Sequence, residues 1–575
     1  MTARRSLSLQ RRHLAAEVAA ARPHPVHRAN GDEVTHRGPD GRPSYVGSFS
    51  KCLPHDDDGF VDPGLYAEWV RAIDSGDPRD VAALDFVPAG PGGTTPWTSG
   101  IDPATPYRGW ESLGAGHTFD LQGPDAQSVT MPPAPALDSE ELVAEMAELY
   151  WMALCRDVPF SRWSTDSTVG AARASLRTLD WFRAGRPTTG STDVLPSSQA
   201  RRRLVRGGTA GDLEVGELFR GTAPGERVGP YVSQFLLVGN HRALPGAGAH
   251  DRDAGHVAYG AVRIDQRVRT APAGVDYMTD FATWLDVQRG ARLNGREDPY
   301  TGYRFITTGR DLATYVHYDA LYEAYLNACL LLLGSGAPFD PGLPLQRGDL
   351  LDKQSGFAQF GGPHVLTLVT EVATRALKAV RYQKYNVHRR CRPEVVAARL
   401  NRLATSSDPA VTDRLEVLRP MLDTLSDSAV NLDAHVGGGS DPWLLPMAFP
   451  EGSPAHPSYG AGHATVAGAC VTVLKAWFDA GHPLGYAFEA NEDGSALVDV
   501  SADHPALTVG GELDKVAANV ALGRGWGGVH YYSDYIESFR LGEQVALGLL
   551  EEQKLCYGET WSMSVPLLDG SVVRL

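Results

Sequence analysis

The chain has 575 residues, 43% of them apolar and 21% charged, with a formal net charge of −16. That is enough apolar material for a large core and enough length for several domains. The acidic balance, with no basic stripe, argues against nucleic acid as a partner. No uninterrupted apolar run of about 18 residues exists, so no membrane span and no membrane partner are expected.

Cys52, Cys155, Cys329, Cys391, Cys470 and Cys556 are far apart with no CxxC pair. They read as buried thiols rather than a disulfide scaffold, although isolated bridges stay open. The start is basic at Arg4 and Arg5, but Leu14–Ala21 is short and broken by Glu17. No export signal is expected, which leaves the cytoplasm as the default location. The 62 glycines and 39 prolines fit a globular chain with long loops.

In chain order, residues 1–60 are polar and read as an N-terminal arm or extension, residues 61–290 as a loop-rich half with some helix, and residues 291–575 as a helical catalytic half. Residues 85–137 and 186–275 have the glycine, proline and arginine content of loops with short helices or hairpins. A helix is predicted from Ser139, an N-cap followed by Glu140 and Glu141. Helical spacing continues over Arg310–Leu333, Pro363–Arg390, Pro393–Thr405, Ala410–Ser426, Gly462–Ala480, Gly511–Leu522 and His530–Gln553. The fold class is therefore mainly α, a helical bundle with long loops and little β.

Three short segments carry the chemistry. In Lys384-Tyr-Asn-Val-His-Arg-Arg-Cys-Arg392-Pro393, with Arg381 upstream, Arg381, Lys384 and His388 share a helix face, and Arg392 lies roughly 80° further round an ideal helix. A single row of this kind is ordinarily a solvated face. In His456-Pro-Ser-Tyr-Gly-Ala-Gly-His463, a glycine-rich turn opens a helix with His463 at its start. Helix N-termini suit anions, although a lone histidine there is more often a cap. In Arg524-Gly-Trp-Gly-Gly-Val-His530-Tyr-Tyr-Ser-Asp534, Asp534 stands at i+4 from His530, where its carboxylate can fix the ring. Together they offer three cations for a tetrahedral oxyanion and two imidazoles to act on it.

Lys–x7–Arg-Pro, Gly-His and Arg–x5–His–x3–Asp, in this order, resemble the signature shared by vanadium-dependent haloperoxidases and type 2 phosphatidic acid phosphatases. The stretches Gln354–His364, Arg381–Glu394 and His456–Tyr459 bring the chain closer to the algal bromoperoxidases, over roughly residues 295–555. The resemblance implies a haloperoxidase fold and one vanadate per subunit, with no haem and no flavin. His530 would be the ligand to the metal. Lys384, Arg392, Arg524 and the Gly462 N–H would hold the equatorial oxygens, and His463 would be the acid–base. Arg381 and His456 would tune halide use, Asp534 would orient His530, and Asp319 would be a buried counter-charge.

One departure is visible. The family pattern Pro-Ser-Gly-His reads Gly460-Ala461-Gly462-His463 here. Ala461 lacks the serine hydroxyl, which removes one hydrogen bond to the anion, roughly 1–2 kcal/mol.

The activity implied is oxidation of halide by hydrogen peroxide, bromide or iodide ahead of chloride, giving a hypohalous acid equivalent that halogenates an organic acceptor. A homo-oligomer, dimer or larger, is expected. One alternative is a phosphatase working through a phosphohistidine at His530. The other is a non-enzymatic oxyanion-binding or shell-forming protein.

Overall fold

The computed structural model describes residues 2–84, 110–182, 213–240, 252–291, 300–346, 353–427 and 441–575. The loop readings at 85–109 and over much of 186–251 lie outside these. Helices dominate. Among the described residues the β-structure is four antiparallel two-stranded pairs of three or four residues per strand.

The segment 1–60 divides in two. Thr2–Ala21 forms an exposed helix, α1, whereas residues 44–53 run largely buried through the interior. α2, Glu140–Cys155, begins where its sequence predicts, because the Ser139 hydroxyl accepts from Leu142 N–H at 3.2 Å. The predicted helix Arg310–Leu333 is two helices, α3 (Gly309–Tyr318) and α4 (Glu323–Ser335). The chain turns extended at Asp319 and restarts where the Glu323 carboxylate accepts from Ala320 N–H. That break turns Asp319 inward instead of leaving it on a helix face.

α5, Gly362–Tyr382, does not continue to Arg390. It widens into a π-helical turn over Gln383–His388, closed by Arg389 at φ 42° with its N–H on the Lys384 carbonyl. Such insertions rotate the following residues off the regular helical face. Arg392 is consequently not 80° round a helix from Lys384. It is the extended N-cap of α6, Pro393–Thr405, whose proline occupies the first turn.

α7 (Gly462–Trp477), α8 (Val509–Trp526) and α9 (Tyr532–Gln553) complete the frame. α9 starts two residues after His530, leaving that ring on the connector. α7 is the central helix, and its small residues let its neighbours approach closely. A Cβ on Gly468 would lie 2.2 Å from the Phe539 carbonyl oxygen, and one on Gly542 2.0 Å from that of Thr465. On another side the Cys470 thiol reaches the Val369 carbonyl of α5 at 3.4 Å, and Lys475 pairs with Asp514 of α8 at 2.7 Å. One continuous hydrophobic core reaches from Val46 to Leu568, and a smaller one places Phe49, Leu53 and Trp69 under Tyr385 of the π turn. Cys52, Cys155, Cys329, Cys391 and Cys470 are buried free thiols; Cys556 is free and exposed. No described helix is long and apolar enough to cross a membrane.

The α7–α9 contact yields a prediction. Gly542→Ala forces a methyl into backbone and should destabilise the protein by about 1–3 kcal/mol, the usual cost of overpacking. Gly170→Ala, at an exposed position of the helix Ser167–Leu176 with nothing within 4 Å of the added Cβ, should instead stabilise, by roughly 0.4–1 kcal/mol. Denaturant unfolding of both variants decides. Shifts of the same sign would refute the close-packing account.

Candidate active site

The π turn, the loop before α7 and the connector from α8 to α9 bring the sequence-predicted residues together. Lys384 is fully buried and its ammonium donates to the carbonyls of Pro457, at 2.5 Å, and Ser458, at 3.2 Å. Arg392, equally buried, donates to the carbonyls of His456 and Val529 and to two imidazoles. Its Nη1 lies 2.9 Å from His530 Nε2 and its Nη2 lies 2.8 Å from His456 Nδ1. Arg524 ends α8 with Nη1 on the Val316 carbonyl at 2.8 Å and its guanidinium 5.7 Å from the Phe449 ring centre.

His530 is held from behind. Its Nδ1 lies 2.9 Å from Asp534 Oδ2, and Asp534 also accepts from Tyr531 N–H, Arg390 and the Ser458 hydroxyl. Nδ1 therefore carries the proton, and Nε2 presents a lone pair toward Arg392. His463 Nε2 lies 3.0 Å from Asp319 Oδ1, a carboxylate only 3% exposed. Gly462 opens α7, so its N–H has no intrahelical acceptor. Ala461 is the N-cap, buried, without a side-chain cap, and its own N–H is taken by Ser538 Oγ at 2.8 Å. A Cβ on Gly462 would lie 3.6 Å from Arg381 Nη1, which ties Arg381 to the helix start.

Charge is out of balance in this space. Burial pushes Lys384 well below the usual ammonium range, and Arg392 and Arg381 push it the same way. Burial likewise brings Arg392 down to about 9, with Arg524 adding to the effect against Asp534. His530 is lowered well below its ordinary value by burial and by Arg392, and His456 by burial, Lys384 and Arg381. Both rings are neutral near pH 7. Asp534 would be raised by burial alone, but Arg390 and the bonds from His530 and Ser458 hold it well below the carboxylate range. Crowded cations, an open helix N-terminus and a neutral imidazole lone pair together fit a compact tetrahedral oxyanion.

Sequence spacing did not find four participants. Arg390 bonds Asp534, Glu145 and Ser533 and lies 3.8 Å over the Tyr531 ring. Ser458 bridges to Asp534. Ser538 holds the Ala461 N–H. Glu111 meets Arg381 and lies 3.4 Å from His456 Nε2. Ser458 and Arg390 flank recognised residues, a signal that was available. Glu111 sits in a loop far upstream, where no local pattern marks it. His388, placed by spacing beside Lys384, points elsewhere and packs edge-on against Tyr459 with ring centres 4.7 Å apart.

A helical bundle with a buried cation cradle around a neutral histidine defines an oxyanion-handling enzyme of the haloperoxidase–phosphatase kind. Known proteins narrow this further. The model of the VCPO second helical-bundle domain matches residues 441–556. The chain is 47% identical over 603 aligned residues to the vanadium-dependent bromoperoxidase of Corallina pilulifera, covering 100% of this chain and 99% of the relative; the Corallina officinalis protein gives the same figures. The homohexameric structure of the second vanadate-dependent bromoperoxidase from Ascophyllum nodosum superposes with a TM-score of 0.79 at 27% identity, covering 100% of this chain and 90% of that one. The chain belongs to the vanadium-dependent bromoperoxidase family.

The buried histidines make stability depend on pH. His55 and His388 are brought down to about 3, chiefly by burial, whereas in the unfolded chain a histidine titrates near pH ~6.5. Below that pH the unfolded state binds protons that the native state refuses, so stability falls as pH falls, by up to about 1.4 kcal/mol per pH unit for each such ring. Neither His388 nitrogen has a hydrogen-bond partner. His388→Phe should therefore remove about one proton from the uptake on unfolding at pH ~5 while leaving the fold intact. Unchanged proton uptake in a calorimetric comparison would contradict a neutral native His388.

Proposed function

We infer that the protein is a vanadium-dependent haloperoxidase. It oxidises halide with hydrogen peroxide, X⁻ + H₂O₂ + H⁺ → HOX + H₂O, and the hypohalous acid equivalent halogenates an organic acceptor. Bromide and iodide are preferred to chloride. The observation that carries this reading is the neutral, Asp534-backed Nε2 of His530 facing buried cations that bond only neutral acceptors. Family membership sets the chemistry.

The residues fit vanadate, one per subunit. Nε2 of His530 would bind the metal, with Lys384, Arg392, Arg524 and the Gly462 N–H taking its oxygens. Bound there, vanadate supplies an electrophilic centre that takes up peroxide and makes one of its oxygens transferable to halide. The protein does the rest. Asp534 keeps the Nδ1 proton in place, so the lone pair stays on Nε2. The cations stabilise negative charge as it redistributes, in a space from which water is largely excluded. His463, braced by Asp319 through Nε2, exchanges a proton through Nδ1 and delivers the one the reaction consumes. Arg381 and His456, beside the cradle but outside it, receive the halide. The similarity to a homohexameric relative supports a homo-oligomer.

Two variants separate the roles. His530→Ala should lose both vanadate and bromination. His463→Ala should retain vanadate within a few-fold but turn over ~10²–10⁴-fold more slowly. The assay is dye bromination by vanadate-loaded protein, run beside phosphate ester hydrolysis. Ester hydrolysis exceeding bromination would overturn the assignment, and equal losses of binding and turnover in the His463 variant would make that residue structural.

Ala461→Ser addresses the departure from the family pattern. A serine N-cap can accept from the first turn of α7 or donate to a bound oxygen, so the variant should raise stability by about 0.5–2 kcal/mol or tighten vanadate by roughly tenfold. Thermal unfolding with and without vanadate assigns the gain. No gain in either state would mean that the hydroxyl finds no partner.

A further inference from the structure

Among the described residues Glu111 is the carboxylate that meets Arg381, the outer cation of the site. Its Oε2 bonds Arg381 Nη2 and lies 3.4 Å from His456 Nε2. His456 Nδ1 accepts from Arg392, so its proton is on Nε2, the nitrogen nearer Glu111. One carboxylate oxygen thus bonds Arg381 and lies 3.4 Å from the ring nitrogen of His456, the two residues assigned to halide.

The burial pattern gives this contact a direction. The Glu111 side chain is 50% exposed, Arg381 5% and His456 10%. Glu111 therefore stands between solvent and the buried donors. Its position is fixed, because the preceding Trp110 donates from Nε1 to the Lys51 carbonyl at 3.0 Å and packs 5.8 Å from Trp69. The other arm of Arg381, Nη1, is buried with no hydrogen-bond partner and lies near the Gly462 start of α7. Arg381 thus bonds a carboxylate on its outer side and leaves a donor toward the cradle. As a structural ion pair this contact would contribute little, because half of it is in water.

We propose that Glu111 sets the affinity for halide: its carboxylate is an internal counter-ion on Arg381, beside His456, that an incoming halide must displace. This rests on the reading that Arg381 and His456 receive the halide. The carboxylate competes for the Arg381 donor and repels anions at the rim. It weakens halide binding without touching the groups that hold the oxyanion.

Vanadate-loaded Glu111→Gln, Arg381→Gln and the double variant test it by steady-state kinetics with bromide and chloride. The amide has the shape of the carboxylate without its charge. Glu111→Gln should lower the KM for both halides about threefold to tenfold, while kcat, the KM for peroxide and vanadate retention stay within about twofold. In the Arg381→Gln background the same change should have no further effect on halide KM, since no cation is left to release. If the contact is merely structural, Glu111→Gln leaves the halide KM alone and shifts thermal stability only slightly. If Glu111→Gln leaves halide KM unchanged while Arg381→Gln changes the ratio of bromide to chloride efficiency, the role given to Glu111 is wrong and that of Arg381 stands. If Arg381→Gln leaves the KM of both halides unchanged, the halide reading of Arg381 fails and takes this inference with it.

Discussion

The site is organised by positive charge buried without enough negative charge to meet it. Lys384 and Arg392 are fully buried, yet their hydrogen bonds go to carbonyls and imidazoles, which are neutral acceptors. The buried carboxylates nearby bond other partners. Asp534 and Glu145 bond Arg390, Glu394 bonds Lys51, and Asp319 bonds His463. Desolvated charge without a counter-charge is among the costlier features a fold can contain. It persists where a ligand repays it, since anything that binds only the native state stabilises that state. On the proposed reading the protein should be most stable with its oxyanion bound.

Rigid packing is what keeps those cations from escaping to solvent. The π turn and left-handed Arg389 redirect the chain between Lys384 and Arg392, so both face inward from different backbone segments. The carbonyls of Pro457, Ser458 and Val529 pin them. Those carbonyls belong to loops anchored on α7 and α9, whose close approach depends on Gly468 and Gly542. A glycine contact deep in the bundle therefore bears on the position of a guanidinium at the site.

Local spacing carried much of this. The i, i+4 relation of His530 and Asp534, the N-cap at Ser139 and the extent of α6 follow from rules a few residues long. What the sequence could not supply were departures from regular geometry and contacts made across the chain. Helical periodicity cannot distinguish an α-turn from a π-turn, so Arg381, Lys384 and His388 look like one face although His388 leaves it. The break at Asp319 has no proline or glycine to announce it. Its cause is tertiary, the bond to His463, 144 residues away. Glu145 and Glu111 come from the first half of the chain, where sequence reading found only helix and loop.

The cradle alone does not choose a reaction. A neutral Nε2 among cations serves equally as ligand to a vanadate or as nucleophile toward a phosphate ester, since both anions are tetrahedral and similarly charged. Selection must come from groups that meet the second substrate. On the proposed reading those are Arg381 and His456, with the Glu111 carboxylate beside them at the rim. A phosphate ester would bring an alcohol leaving group and its attached body to that rim, where a half-exposed carboxylate and buried donors offer little to bind it. A monatomic anion needs only the donors. If Arg381 and His456 receive the halide, such a rim suits a small anionic co-substrate better than a bulky ester, and this asymmetry, more than the cradle, would separate halide oxidation from ester hydrolysis.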